Sequence, residues 1–388
     1  MTADCELTLL ASLDLLYREQ VLTEVEFSFP TTAVLRYDLD RLETEHVIER
    51  RITQNGRTDS TLILADEDCC LTCLLRGDIL GVRTQASFEQ LIAVIPAALD
   101  PVLFLDLLTN PDADAACHIV GPKQRRHPRF ISIVNAQTLE QGLTDTHPPH
   151  TVATEGLTSE LSTAELLCSH VEYAGCVLHT AETKREQMLI SSLANQATQI
   201  ELSADPARWP FNPTASVQTT RHPAIHLPPT APVSFGGLSH WIWSRRRPVH
   251  PERFFDAFEN SALGRALRVE GNLWFACRPD DVAEISIIAG QCRVAVVAQW
   301  QDAELPRYDL AGDLLPVARN FTDNWHPYYG DRQQHLNIVC DADDLTEVMN
   351  VLHGCLLTDE ELSEGRHVWS AYVDPFVLPS DGFGDDDR

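Results

Sequence analysis

The sequence predicts an α/β chain. A larger domain carries a mostly parallel sheet with helices on both faces, and a smaller α+β domain follows it. Three observations lead there. Short apolar runs alternate with amphipathic segments through the first half. Seven prolines between Asp205 and Gly237 interrupt regular structure. Beyond them, strand-like and helix-like segments mix over a shorter span.

In chain order, Glu6–Ala11 reads as the first strand and Asp14–Val25 as a helix. Thr61–Ala65, Val102–Asp106, Phe130–Val134 and Cys176–His179 are short apolar runs that suit strands buried on both faces. Ser87–Leu99 has a helical pattern. Ser162 with Glu165 forms a capping box opening a further helix, and Lys184–Ala197 reads as another. In the second domain, Leu273–Ala276, Arg293–Ala298 and Leu336–Cys340 read as strands. Pro251–Glu259 and Asp343–Leu357 read as helices, and Thr358 with Glu361 makes a second capping box. The domain reading is 1–204, a linker at 205–237, the smaller domain at 238–376 and an acidic tail at 377–388, expected to be disordered.

The 388 residues carry 29 basic against 57 acidic side chains, a formal net charge of −28. That balance disfavours broad phosphate binding, so no direct DNA contact is expected, and it fits docking on a basic partner. The local basic clusters, Arg125–Arg126 with Arg129 and Arg245–Arg247, read first as solvated faces or loops. No apolar run has transmembrane length and no leader pattern opens the chain, so a cytoplasmic protein without membrane association is expected. The 11 cysteines are then mostly reduced thiols, and the scattered ones read as small buried hydrophobes.

The last third holds an ordered set of short motifs. It runs Arg245-Arg-Arg-Pro-Val-His-Pro-Glu-Arg253, Leu267-Arg-Val-Glu-Gly-Asn-Leu-Trp-Phe-Ala276, Tyr329-Gly-Asp-Arg-Gln333, Cys355-Leu-Leu-Thr-Asp-Glu-Glu361 and Asp374-Pro-Phe376. Together they resemble the C-terminal domain of the CobW-type GTPases, a family of metal-delivery proteins that includes cobalamin-related and zinc chaperones. The resemblance implies that the first domain has a P-loop NTPase-like fold, and there the chain departs from the family. A phosphate loop needs glycines whose N–H groups close on phosphate, and a Lys and Ser or Thr for phosphate and magnesium. The corresponding Ala11–Arg18 contains no glycine, and the first lysine of the chain is Lys123. The guanine-reading Asn-Lys-x-Asp is replaced by His179-Thr-Ala-Glu182, and a strand-end Asp-Ala by Asn135-Ala136. A degenerate fold that does not handle GTP in the usual manner is the expectation, since fold and site are separable.

Asp66-Glu-Asp-Cys-Cys-Leu-Thr-Cys73 resembles the family's Gly-Cys-x-Cys-Cys motif, with Arg76 and Asp78 matching the pair that follows it. Cys70-x-x-Cys73 can hold zinc through two thiolates. Cys69 is a candidate third ligand, and Asp66, Glu67 or Asp68 a candidate fourth. Inert thiols and a redox pair are the other readings of the motif. His147, His150, His222 and His226 read as loop histidines.

The resemblance is to the family branch without the phosphate loop. It implies a zinc-homeostasis adaptor with a protein partner, the ribosome or a hibernation factor recruited to it under zinc limitation. Two alternatives stay open: a GTP-dependent zinc or cobalt chaperone with a rebuilt nucleotide site, and a zinc sensor that uses no nucleotide.

Overall fold

The computed structural model describes residues 5–65, 70–85, 88–109, 128–150, 155, 157, 159–211, 231–300 and 325–376. It divides into two compact units, Met1–Pro223 and Ala224–Arg388.

The first unit contains β1 (Glu6–Ala11), α1 (Leu15–Ser28), β2 (Thr32–Asp38), α2 (Leu42–Glu45), β3 (Val47–Gln54) and β4 (Arg57–Leu64). It continues with α3 (Leu71–Gln85), β5 (Gln90–Val94), α4 (Pro101–Thr109), β6 (Arg129–Val134) and α5 (Ala136–Gly142). Then come α6 (Thr163–Glu172), β7 (Cys176–His179), α7 (Lys184–Leu193) and β8 (Thr198–Glu201). One eight-stranded sheet runs β4-β3-β2-β5-β1-β6-β7-β8. The strands from β2 to β8 in that order pair in parallel, and β3 and β4 add an antiparallel extension. Val21, Leu22 and Val25 of α1 pack on Leu10, Val34, Ile92 and Ile131 of the sheet. Each such fully buried aliphatic contributes about 1.5–3 kcal/mol relative to exposure.

Four elements differ from the sequence reading. The strand expected at Leu273–Ala276 lies instead at Arg268–Leu273, and Thr61–Ala65, expected to be buried on both faces, falls mostly in β4, which is largely exposed. Val102–Asp106 lies inside helix α4. Asp100 accepts the Val102 N–H at 2.9 Å and Pro101 takes the first helical position, so the cap outweighs the apolar run. Ser87–Leu99 was expected to be helical, yet its described part holds strand β5. That strand lies between β1 and β2 and all five of its residues are buried. Pro96 prevents a helix from continuing there.

The 205–237 span is ordered at both ends. Asp205 caps a 3₁₀ turn at Pro206–Arg208, and Trp209 and Phe211 are buried in the core of the first unit. Aromatic anchoring overrides the loss of backbone donors to proline.

The second unit contains β9 (Val233–Phe235), β10 (Leu238–Arg245), α8 (Pro251–Asn260), β11 (Arg268–Leu273), β12 (Asp281–Ile288) and β13 (Gln291–Gln299). It ends with β14 (Gln334–Asp341), α9 (Leu345–Gly354), α10 (Asp359–Glu364) and α11 (Arg366–Trp369). Its sheet is antiparallel, in the order β13-β12-β11-β14-β10-β9. Alternate residues of these strands, with Trp241, Trp243, Val269, Leu336 and Ile338 among them, pack on Phe254 of α8 and Val348 and Leu352 of α9. The other face is polar and still buried. His240 Nε2 meets Asn337 Oδ1 at 2.6 Å, and Asn337 Nδ2 donates to Glu270 Oε1 at 3.0 Å. Arg268 bonds Glu270 Oε2 at 3.1 Å and Ser286 Oγ at 2.7 Å. Gly271, between the two acceptor-bearing residues Glu270 and Asn272, holds φ +138°. A Cβ there would collide with the His335 carbonyl of β14, so only glycine fits.

Among the described residues no helix is long and apolar enough to cross a membrane.

Candidate functional site

Two places inherit attention from the sequence: the crevice at the carboxyl ends of the parallel strands, where open α/β sheets bind ligands, and the cysteine motif.

The crevice begins where β1 ends. The chain turns through Ser12, Leu13 and Asp14 straight into α1. Ser12 Oγ accepts the Asp14 N–H at 3.0 Å and donates to the Ile133 carbonyl of β6 at 2.9 Å. Asp14 caps α1, taking the Tyr17 N–H at 3.1 Å on one carboxylate oxygen. Its other oxygen accepts Asn135 Nδ2 at 3.0 Å. Thr180 Oγ1, just past β7, accepts the Ala136 N–H at 3.0 Å. His179 is buried, and its Nδ1 accepts the Ala181 N–H at 3.2 Å. Burial pushes its pKa down, partly opposed by Glu201. The ends of β1, β6 and β7 are therefore tied to one another by short polar side chains.

A cleft of about 410 Å³ opens beside this turn, lined by Arg18, Arg36, Asp38, Asp40, Arg51 and Glu155 among others. Its guanidinium groups carry internal partners. Arg18 bonds Glu155 at 2.6 Å, Arg36 meets Glu26 at 3.1 Å and Glu19 at 3.4 Å, and Arg51 meets Asp38 at 2.8 Å. The second Glu155 oxygen accepts the Ala97 N–H, just past β5, at 2.5 Å. Sequence reasoning missed Arg18 and Glu155. They are 137 positions apart, and no local pattern links them.

At the cysteine motif, Cys70 is exposed and its carbonyl accepts the Leu74 N–H at 3.0 Å, which makes it the N-cap of α3. Cys73 falls in the first turn and is only 4 % exposed. The structure thus brings these two thiols to one helix start. Cys69, Asp66, Glu67 and Asp68 lie outside the described residues. Among the described residues no cluster of three or more His, Cys, Asp or Glu stands ready for a metal. Two soft sulfur donors at this spacing suit zinc as part of a ligand set.

Helix α3 is held by Asp78, which accepts Arg50 Nη1 at 2.6 Å and the Tyr37 hydroxyl at 2.9 Å. Burial, and then Asp78, raise the Tyr37 pKa well above that of an ordinary phenol. Asp78→Ala leaves Arg50 and Tyr37 without this acceptor. A loss of about 2 kcal/mol is expected in urea denaturation, with a smaller loss for Asp78→Asn.

The other sequence candidates separate. His147 is exposed and pairs with Asp145 at 3.1 Å, while His222 and His226 lie outside the described residues. Arg129, read as part of a solvated cluster, is buried and donates to the Pro210 carbonyl at 3.1 Å; Arg125 and Arg126 lie outside the described residues. Arg247 bonds the Leu357 carbonyl at 2.9 Å and Asp359 at 2.6 Å, and Arg246 reaches the Gly330 carbonyl at 3.3 Å. These arginines tie the second unit together.

Residues 238–356 match the family described as the cobalamin synthesis protein cobW C-terminal domain. A protein named zinc chaperone Rv0106, from Mycobacterium tuberculosis, is 28% identical over 349 residues, covering 85% of this chain and 84% of its own length. The zinc-regulated GTPase metalloprotein activator 1 of Dictyostelium discoideum is 28% identical over 156 residues, 39% of this chain and 32% of that protein. Among solved structures, the Zn(II)-bound YjiA GTPase from E. coli aligns over 91% of this chain and 99% of its own, with a TM-score of 0.34 and 13% identity.

Proposed function

The chain carries a CobW C-terminal domain, and we propose that it serves zinc homeostasis as a non-hydrolysing adaptor whose metal contact is the Cys70–Cys73 pair. The names of its relatives support a role in metal homeostasis. The observation that carries the non-hydrolysing part is the turn after β1. Ser12, Asp14 and Asn135 close it with their own hydrogen bonds, and Asp14 places a carboxylate where triphosphate would need backbone N–H groups and a lysine. Glu155 takes up Arg18 and the Ala97 N–H. These residues do not fit a nucleoside triphosphate. The net charge of −28 suits a basic protein surface; the ribosome, or a hibernation factor recruited to it, is the partner that the family resemblance implies.

Calorimetry with GTP and magnesium tests the first part: no heat of binding is expected, with or without zinc. Micromolar binding would overturn it and favour a GTP-dependent chaperone. For the metal, Cys70→Ser combined with Cys73→Ser is expected to lower zinc affinity by roughly 100-fold or more, with far-UV circular dichroism unchanged. Equal zinc stoichiometry in the double variant would remove these cysteines from the site.

A further inference from the structure

Zinc binding does not require the two cysteines to differ, and they do. Cys70 is open to solvent at the N-cap of the 15-residue helix α3, whereas Cys73, in its first turn, is buried. An N-cap side chain bends back toward the residue at the third helical position. Positions three apart on a helix lie about 5–6 Å apart between Cβ atoms, so closing a disulfide there asks the first turn to tighten by about 1–2 Å. A reachable outer thiol with a shielded inner thiol three residues on is the arrangement that thiol–disulfide exchange uses. The cysteines of the cores have no exposed cysteine three residues away. Burial foremost pushes the thiols of Cys176, Cys340 and Cys355 up to about 12, which keeps them protonated and unreactive.

We propose that Cys70 and Cys73 form a reversible dithiol–disulfide couple driven by small-molecule disulfides of the glutathione class. The Cys70 sulfur attacks one sulfur of the small disulfide. That S–S bond breaks, and one small thiol leaves carrying the proton lost by Cys70. The Cys73 sulfur then attacks Cys70 Sγ, and the second small thiol leaves with the Cys73 proton. Two protein thiols are oxidised to one disulfide, and one small disulfide is reduced to two thiols. Closing the bond removes both sulfur donors from any metal. This consequence, release of zinc on oxidation, rests on the metal reading proposed above; the exchange chemistry does not.

The test uses the full chain, stripped of metal and equilibrated in graded oxidised and reduced glutathione, then alkylated and weighed intact. The wild type is expected to lose two alkylatable thiols and keep no glutathione. Cys73→Ser is expected to hold one glutathione on Cys70, and Cys70→Ser none on Cys73, because that thiol is buried. Cys69→Ser is expected to close its disulfide as the wild type does. A wild type that stays fully reduced, or that accumulates a stable glutathione adduct, overturns the couple. So does loss of closure in Cys69→Ser. Zinc binding is measured separately on the reduced and oxidised wild type, with stoichiometry expected to fall from one towards zero on oxidation. Disulfide closure without zinc binding by the reduced chain would sink the metal reading and leave the couple standing. Zinc binding without closure would do the reverse.

Discussion

Glu270→Ala is expected to cost the second unit about 3–5 kcal/mol, because it removes a charge partner from a buried cation. Arg268 and Glu270 are 6 % and 4 % exposed, on the polar face of the antiparallel sheet. Both Glu270 oxygens are engaged, one by Arg268 and one by Asn337. Asn337 in turn meets His240, and Arg268 reaches Ser286. Truncating the carboxylate takes a charge partner from the guanidinium and an acceptor from the amide. Removing both ions is a different experiment. Arg268→Met with Glu270→Leu exchanges the pair for apolar groups of similar volume and is expected to come within about 1 kcal/mol of the wild type or above it. Tryptophan fluorescence in urea reads the result selectively, since six of the seven tryptophans lie beyond Ala224 and only Trp209 belongs to the first unit. Equal losses in the single and double variants would mean that this face is held by shape, and that charge pairing contributes little.

The contrast between this network and the rest of the fold shows what a sequence carries. Strands β1 and β7 were legible to the residue, because short apolar runs bounded by polar residues have few other uses in a parallel sheet. The capping boxes at Ser162 and Thr358 were equally plain, being defined by spacing alone. Strand β5 and helix α4 exchanged identities because four consecutive apolar residues carry no measurable period; Asp100-Pro101 was the local signal that could have settled α4. The hairpin β3–β4 was passed over although Asn55-Gly56 announces it. Both residues hold positive φ, 49° and 71°, as a tight hairpin turn demands. At the candidate site, the absence of glycine and lysine from the turn after β1 was visible in the sequence. The ties that close this turn were not, because those between Ser12 and Ile133, Asp14 and Asn135, and Arg18 and Glu155 join positions more than 100 residues apart. The polar face of the second sheet was hidden for a related reason. Arg268, Glu270 and Asn337 have the composition of a solvated surface, and only the fold shows them buried.

His170 is expected to make the first unit acid-sensitive through a single proton. It lies in α6, 1 % exposed, and neither ring nitrogen has a hydrogen-bond partner among the described residues. Burial alone pulls its pKa from 6.5 down to about 3. The sign follows from which state binds the proton. Above pH 6.5 the ring is neutral in both folded and unfolded chains, and the shift has no effect. Below it, the unfolded chain takes up a proton that the folded one refuses, so stability falls until the pH approaches 3. The slope is about 1.4 kcal/mol per pH unit, which amounts to about 2 kcal/mol at pH 5. Carboxylates titrate over part of the same range, so the wild-type curve alone cannot assign the loss. His170→Leu can. The variant keeps an apolar volume, removes an unsatisfied ring N–H from the core and deletes the one proton. It is expected to match or exceed wild-type stability at pH 7.5, and the gap between the two is expected to widen as the pH falls from 6.5 to 4. Denaturant curves followed by far-UV circular dichroism at several pH values measure that gap. Parallel curves would show that the folded protein accommodates a proton at His170, by admitting water or by opening α6. In that case the buried histidine would mark a local opening of the first unit, and its acid response would begin there before global unfolding.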